Sequence, residues 1–113
     1  MDWTGVLVAG LTTNALVGFT YRLYRYARGG PLGDVVGQAI LGVLLGGLAL
    51  AVAAGASWAR WLALAYGLLF GLVVMPLWVL AVLIPLPPGP VDRAFTALYW
   101  LVLGSIVVAA LAA

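Results

Sequence analysis

The chain has 113 residues, 66% of them hydrophobic and 7% charged, with five arginines and three aspartates giving a net charge of +2. A water-soluble domain of ordinary composition carries about 25% charged residues, so a surface wetted all round is excluded, and the length leaves room for one domain only. His, Lys, Glu and Cys are absent, which removes imidazole bases, ordinary haem and zinc ligands, Schiff-base lysines, disulfides and thiolate chemistry; no enzyme, metal or cofactor is expected.

The few charges divide the chain. Residues 3–21, 35–59, 61–91 and 94–113 carry none. Each stretch is long enough for a helix to cross the ~30 Å hydrocarbon core of a bilayer, which takes roughly 20 residues at 1.5 Å each. The expected fold is an all-α membrane protein, a single domain over residues 1–113. Its four transmembrane helices, near 3–28, 34–55, 58–84 and 92–112, form an antiparallel bundle with short loops.

The first span continues through Tyr21, Arg22, Leu23, Tyr24, Arg25, Tyr26 and Arg28 and stops at Gly29-Gly30-Pro31, because Gly accepts a left-handed cap and Pro cannot continue the helix. Its positive charges follow the apolar stretch, whereas a secretory leader places them before it, so it is read as a retained span. Asp34 suits the start of the second helix, where a carboxylate meets free backbone N–H groups. Ala56 to Arg60 form the next turn. The third helix carries Pro76, where a kink or tilt is expected to absorb its length. Residues 85–90 (Pro-Leu-Pro-Pro-Gly-Pro) make a stiff connector, and Asp92 begins the fourth helix. Pro31-Leu32 and Pro85-Leu86, each followed by Gly and then Asp, resemble a faint internal repeat, although turns select these residues in any case.

Arg22, Arg25, Arg28 and Arg93 fall at one end of such a bundle and Arg60 at the other. The positive-inside rule then sets both termini outside and the arginine-rich end in the cytoplasm. Arginine in place of lysine, with abundant Ala, Gly, Leu and Val, points to a bacterial plasma membrane. Trp3, Trp58 and Trp61 suit the outer interface and Trp78 the inner one.

Half-way along the first span stand Thr12, Thr13 and Asn14. A threonine hydroxyl bonds the carbonyl one turn back, but the Asn14 amide needs a neighbouring helix, water or ligand. Tyr99, deep in the fourth span, is the expected partner of Asn14 or Thr13. Gly10, Asn14 and Gly18 share one helical row; Gly42 and Gly46 form another, and Gly67 and Gly71 a third, as small residues that admit a neighbouring backbone do. Gln38 is expected to reach the headgroups. The Arg22, Arg25 and Arg28 strip, interleaved with tyrosines, suits anionic lipid headgroups at the cytoplasmic face or an acidic partner.

Function follows from what is missing. No ionisable group falls inside a span, where proton-coupled pumps keep one. The leading expectation is a non-catalytic membrane subunit that packs on or assembles a larger membrane complex, with other subunits or its own copies as partners and no nucleic acid. The alternative is a small homo-oligomeric channel or transporter of solute or lipid, with a polar site around Asn14 and a backbone carbonyl freed by Pro76. A lesion-forming protein fits the size alone.

Overall fold

The computed structural model describes residues 2–80 and 89–112, and these form four helices with no strand among them. They are α1 (Trp3–Ala27), α2 (Leu32–Ala53), α3 (Ser57–Trp78) and α4 (Pro90–Ala112), each long and apolar enough to cross a membrane. The end of the expected third span at 84 and the connector residues 85–88 lie outside the described residues.

Local chemistry explains the boundaries. Asp2 caps α1, its Oδ1 accepting the Gly5 N–H at 3.0 Å. The same device ends α1 and α2. Gly29 (φ +93°) and Gly55 (φ +86°) turn the chain left-handed. The Gly30 N–H then donates to Arg25 O at 2.8 Å, and the Ala56 N–H to Ala51 O at 3.1 Å. Carbonyls of the last turn that would otherwise lack partners are thereby satisfied. α2 starts at Leu32, so Asp34 lies within its first turn and makes no capping bond. α4 starts at Pro90 rather than at Asp92. Proline suits a first helical position, where its missing N–H costs nothing, and Asp92 Oδ2 reaches back to accept the Gly89 N–H at 3.0 Å.

The distortion associated with Pro76 takes a specific form. Over Phe70–Val74 the backbone of α3 is π-helical, and the Met75 N–H bonds Phe70 O instead of Gly71 O. In the wider turn Gly71 O would look to residue 76, but that residue is proline and has no N–H. The Trp100 indole supplies the missing donor from α4, at 2.9 Å.

α1 runs along both α2 and α4, α3 runs along α4, and α2 and α3 touch less than any of these neighbouring pairs. The core is aliphatic where helices approach closely, with Leu7, Leu11, Leu103, Ile106, Ala59 and Ala63 all fully buried. The outside is as apolar as the inside: Val43, Leu50 and Leu101 are 75%, 74% and 71% exposed. Helices hydrophobic all round belong in lipid or in the interior of a larger body. The longest dimension of the bundle, 42 Å, matches the ~40–45 Å of a bilayer with its headgroups.

Candidate functional site

One polar side chain from each helix converges half-way along the bundle. Asn14 of α1 is 0% exposed. Its Oδ1 accepts a hydrogen bond from the Tyr66 hydroxyl of α3, and that hydroxyl lies 3.2 Å from the hydroxyl of Tyr99 on α4. The fourth member is Gln38 of α2. A Cβ at Gly18 would collide with Gln38 Nε2 and would lie 3.3 Å from the Tyr99 ring, so the glycine is the notch that admits both groups. The amide of Gln38 therefore turns inward and not to the headgroups as expected.

The proton inventory of this cluster is lopsided. Tyr66 gives its only proton to Asn14, so Tyr99 donates to Tyr66, and the chain Tyr99–Tyr66–Asn14 ends on the one amide oxygen. Asn14 Nδ2 and Gln38 Nε2 are buried without a hydrogen-bond partner among the described residues. Buried polar groups are nearly always paired, since an unpaired one costs ~1–3 kcal/mol. The cluster therefore presents two buried, unpartnered amide donors, and the Gln38 amide makes no hydrogen bond at either end among the described residues.

Two other networks flank it. Toward the arginine-rich end, Tyr21 stacks flat on Phe95 with centroids 3.7 Å apart and donates to Asp92 Oδ1 at 2.5 Å. Arg25 donates to the Tyr21 hydroxyl at 3.1 Å and pairs with Asp92 at 3.8 Å. Arg22 pairs with Asp34 at 3.7 Å, and its guanidinium sits 5.0 Å from the Trp78 ring centre. Trp78 in turn donates to Thr96 Oγ1 at 3.2 Å. Asp34 and Asp92, at the starts of α2 and α4, are thus met by arginines of α1. Arg28 is exposed over Tyr24 at 5.5 Å; neither it nor Arg93 has an acidic partner among the described residues. At the other end Arg60 donates to Ala110 O at 2.6 Å and Leu111 O at 3.2 Å, a cation on the last carbonyls of α4, where the helix dipole is negative.

The residues singled out from sequence fall in several places. Asn14 and Tyr99 are both buried in the cluster, joined through Tyr66 rather than directly. Thr13, one residue away, lies on the exposed face of α1, apart from the cluster; Thr12 bonds Val8 O at 2.9 Å. Among the glycines, Gly10 faces Ile106 at 3.0 Å and Gly67 faces Val107 at 2.7 Å, as seen by a Cβ placed on each, and Gly42 meets Ala15 at 3.8 Å. A Cβ at Gly46 or Gly71 would meet nothing within 4 Å among the described residues; Gly46 thus lies outside a seam, whereas Gly71 is buried beside α4, its carbonyl accepting the Trp100 indole N–H. Tyr66 was the missed member. Its signal was a phenol placed mid-span among Leu and Ala, which needs a partner for the same reason Tyr99 does.

Between α2 and α3, where the helices part, runs an apolar groove of about 480 Å³ lined by Leu41, Leu45, Leu48, Trp58, Leu62 and Tyr66 among others. Tyr66 belongs to both features: its ring lines the groove and its hydroxyl holds Asn14. Comparison with protein-family models, with curated proteins and with solved structures finds no match for this chain.

Proposed function

We propose that the protein is an integral membrane protein whose four helices cross a bacterial plasma membrane as an antiparallel bundle. The start of α1 and the end of α4 face outward, and the arginine-rich end lies in the cytoplasm. Its role is that of a non-catalytic subunit, packed against a larger membrane complex. The observation that carries this reading is the outward face of α2. Gly33, Gly37 and Gly47 are exposed there, and a Cβ on any of them would meet nothing within 4 Å among the described residues. Lipid gains nothing from glycine, because bulky aliphatic side chains cover a helix backbone at no cost. A second protein helix does gain, by closer approach and denser van der Waals contact. At the cytoplasmic end, Arg28 and Arg93 are the arginines left for anionic headgroups or an acidic partner, each contributing ~1 kcal/mol near such a surface.

The test is extraction from native membranes in mild detergent, followed by separation by size. A stoichiometric larger assembly supports the reading, and replacing Gly37 and Gly47 together by leucine should release the chain from it. A chain that migrates alone at every detergent strength rules the reading out. Orientation is checked separately. Because the chain has no cysteine, Leu32→Cys and Ala56→Cys each carry a unique thiol. An impermeant maleimide applied to intact cells should label Ala56→Cys and spare Leu32→Cys; the reverse pattern inverts the topology.

A second reading, a small channel or transporter, is favoured by the buried donors of Asn14 and Gln38. Flux of ions or small solutes through proteoliposomes that disappears with Asn14→Leu would support it. Vesicles that stay sealed with the wild-type protein would remove it.

A further inference from the structure

The geometry points to a binding site for an uncharged, carbonyl-bearing amphiphile. Its carbonyl would be held by the amide nitrogens of Asn14 and Gln38, and its apolar chain would lie in the groove between α2 and α3. This rests on the reading above that the helices cross a bilayer, and it goes beyond the scaffolding role. Three observations fix the chemistry of the ligand.

The first is the donor surplus. Asn14 Nδ2 and Gln38 Nε2 are buried and unpartnered, while Asn14 Oδ1 is already occupied by Tyr66. The complementary ligand of these two nitrogens is therefore a hydrogen-bond acceptor. The second is charge. The cluster consists of Asn14, Gln38, Tyr66 and Tyr99, and none of these is an ion, so a carboxylate or phosphate buried here would have no counter-charge. The acceptor is neutral. The third is depth. Asn14 stands about 17 Å along α1 and Gln38 about 9 Å along α2 from the first residue, at 1.5 Å per residue, so both lie inside a ~30 Å hydrocarbon layer. The ester carbonyls of bilayer phospholipids lie at the interface and do not reach it. The carbonyl must belong to a molecule that dissolves in the bilayer interior, such as a quinone or a long-chain ketone.

The groove supplies the remaining contacts. At about 480 Å³ it falls within the ~300–1,000 Å³ usual for ligand sites that are mostly apolar with a few placed polar groups. On α2 the groove residues Leu41, Leu45 and Leu48 continue the helical face on which Gln38 lies. A turn of the Tyr66 ring, the wall common to groove and cluster, joins the two.

The experiment uses the whole chain in phospholipid nanodiscs, titrated with a benzoquinone bearing a decyl chain and, separately, with decylbenzene as a carbonyl-free control. Trp58 lines the groove, so the part of the quenching of the five tryptophans that disappears in Trp58→Phe reports occupancy, and the infrared carbonyl stretch of the quinone reports hydrogen bonding. The expected result is saturable, one-to-one quenching by the quinone with a lowered carbonyl frequency, which an equal concentration of decylbenzene does not reverse. Gln38→Leu should weaken binding about tenfold and restore the free carbonyl frequency; it breaks no hydrogen bond, so folding is retained. Asn14→Leu should do the same or worse. Equal binding of decylbenzene, an unshifted carbonyl stretch, or unchanged binding in Gln38→Leu would overturn the site and leave water as the partner of the two amides. Failure of the chain to enter the discs would overturn this inference and the membrane reading together, whereas entry without binding would overturn this inference alone.

Discussion

Along α1 and α4 the rings of Tyr21 and Phe95 stack at 3.7 Å, Gly10 lies against Ile106, and hydrogen bonds tie Tyr21 to Asp92. Across the bundle, α2 and α3 leave an open groove, and the glycines of α2 at 46 and 47 touch nothing within reach of a Cβ among the described residues. Within lipid no hydrophobic force presses helices together, so association depends on close contact and on polar bonds. The seams of α4 concentrate both. The α2–α3 side has neither, and that is where space remains for a ligand or another chain.

The same substitution on the two sides should separate them most sharply. In Gly67→Leu the new Cβ would stand 2.7 Å from Val107 Cγ2 and 3.4 Å from Leu103 O. Overpacking of that kind should cost about 2–3 kcal/mol, read as a shift in the unfolding midpoint during titration with sodium dodecyl sulfate. Gly47→Leu meets open space and should cost less than about 0.5 kcal/mol. Equal losses would erase the contrast. Next in size is Tyr21→Phe, which keeps the stack on Phe95 but withdraws the donor to Asp92. A loss of about 1.5 kcal/mol is expected in the same titration. Trp100→Phe leaves Gly71 O without its indole donor and should cost about 1 kcal/mol; protease sensitivity of α3 near the π-turn should rise with it. Smallest is Arg22→Gln. The Arg22–Asp34 pair is long at 3.7 Å, with side chains 23% and 49% exposed, so less than about 0.5 kcal/mol is expected, and salt should abolish even that difference.

The number and approximate limits of the helices were legible because long charge-free runs and Gly-Pro stops need no knowledge of neighbours. Asn14 was legible for a related reason: an amide mid-span must find a partner wherever it is. The identity of that partner was not. Tyr66 and Tyr99 stand at similar depths on α3 and α4, and only the rotation of the helices about their axes decides which hydroxyl meets Asn14. The same rotation separates Thr13 from Asn14, since neighbouring residues on a helix point about 100° apart. Gln38 was misread because its distance from the start of α2 suggested the headgroups, while the notch at Gly18 that draws it inward is a property of a different helix. Rows of small residues mark where a backbone may be approached, not where one is: Gly67 sits in a seam and Gly46 does not.

The π-helical turn at Phe70–Val74 has a consequence for how this chain tolerates length changes. Such a turn holds one residue more than the regular spiral around it. Deleting a single residue there would let α3 revert to an unbroken α-helix. Because the wide turn already absorbs the extra residue, everything beyond would keep its facing, with Trp78 still turned toward Thr96 and the guanidinium of Arg22. An insertion or deletion of one residue, usually the gravest lesion a transmembrane helix can suffer, is at this place already half-accommodated by the backbone. Homologous chains that lack the bulge should therefore be one residue shorter here and keep an aromatic side chain at the position of Trp78.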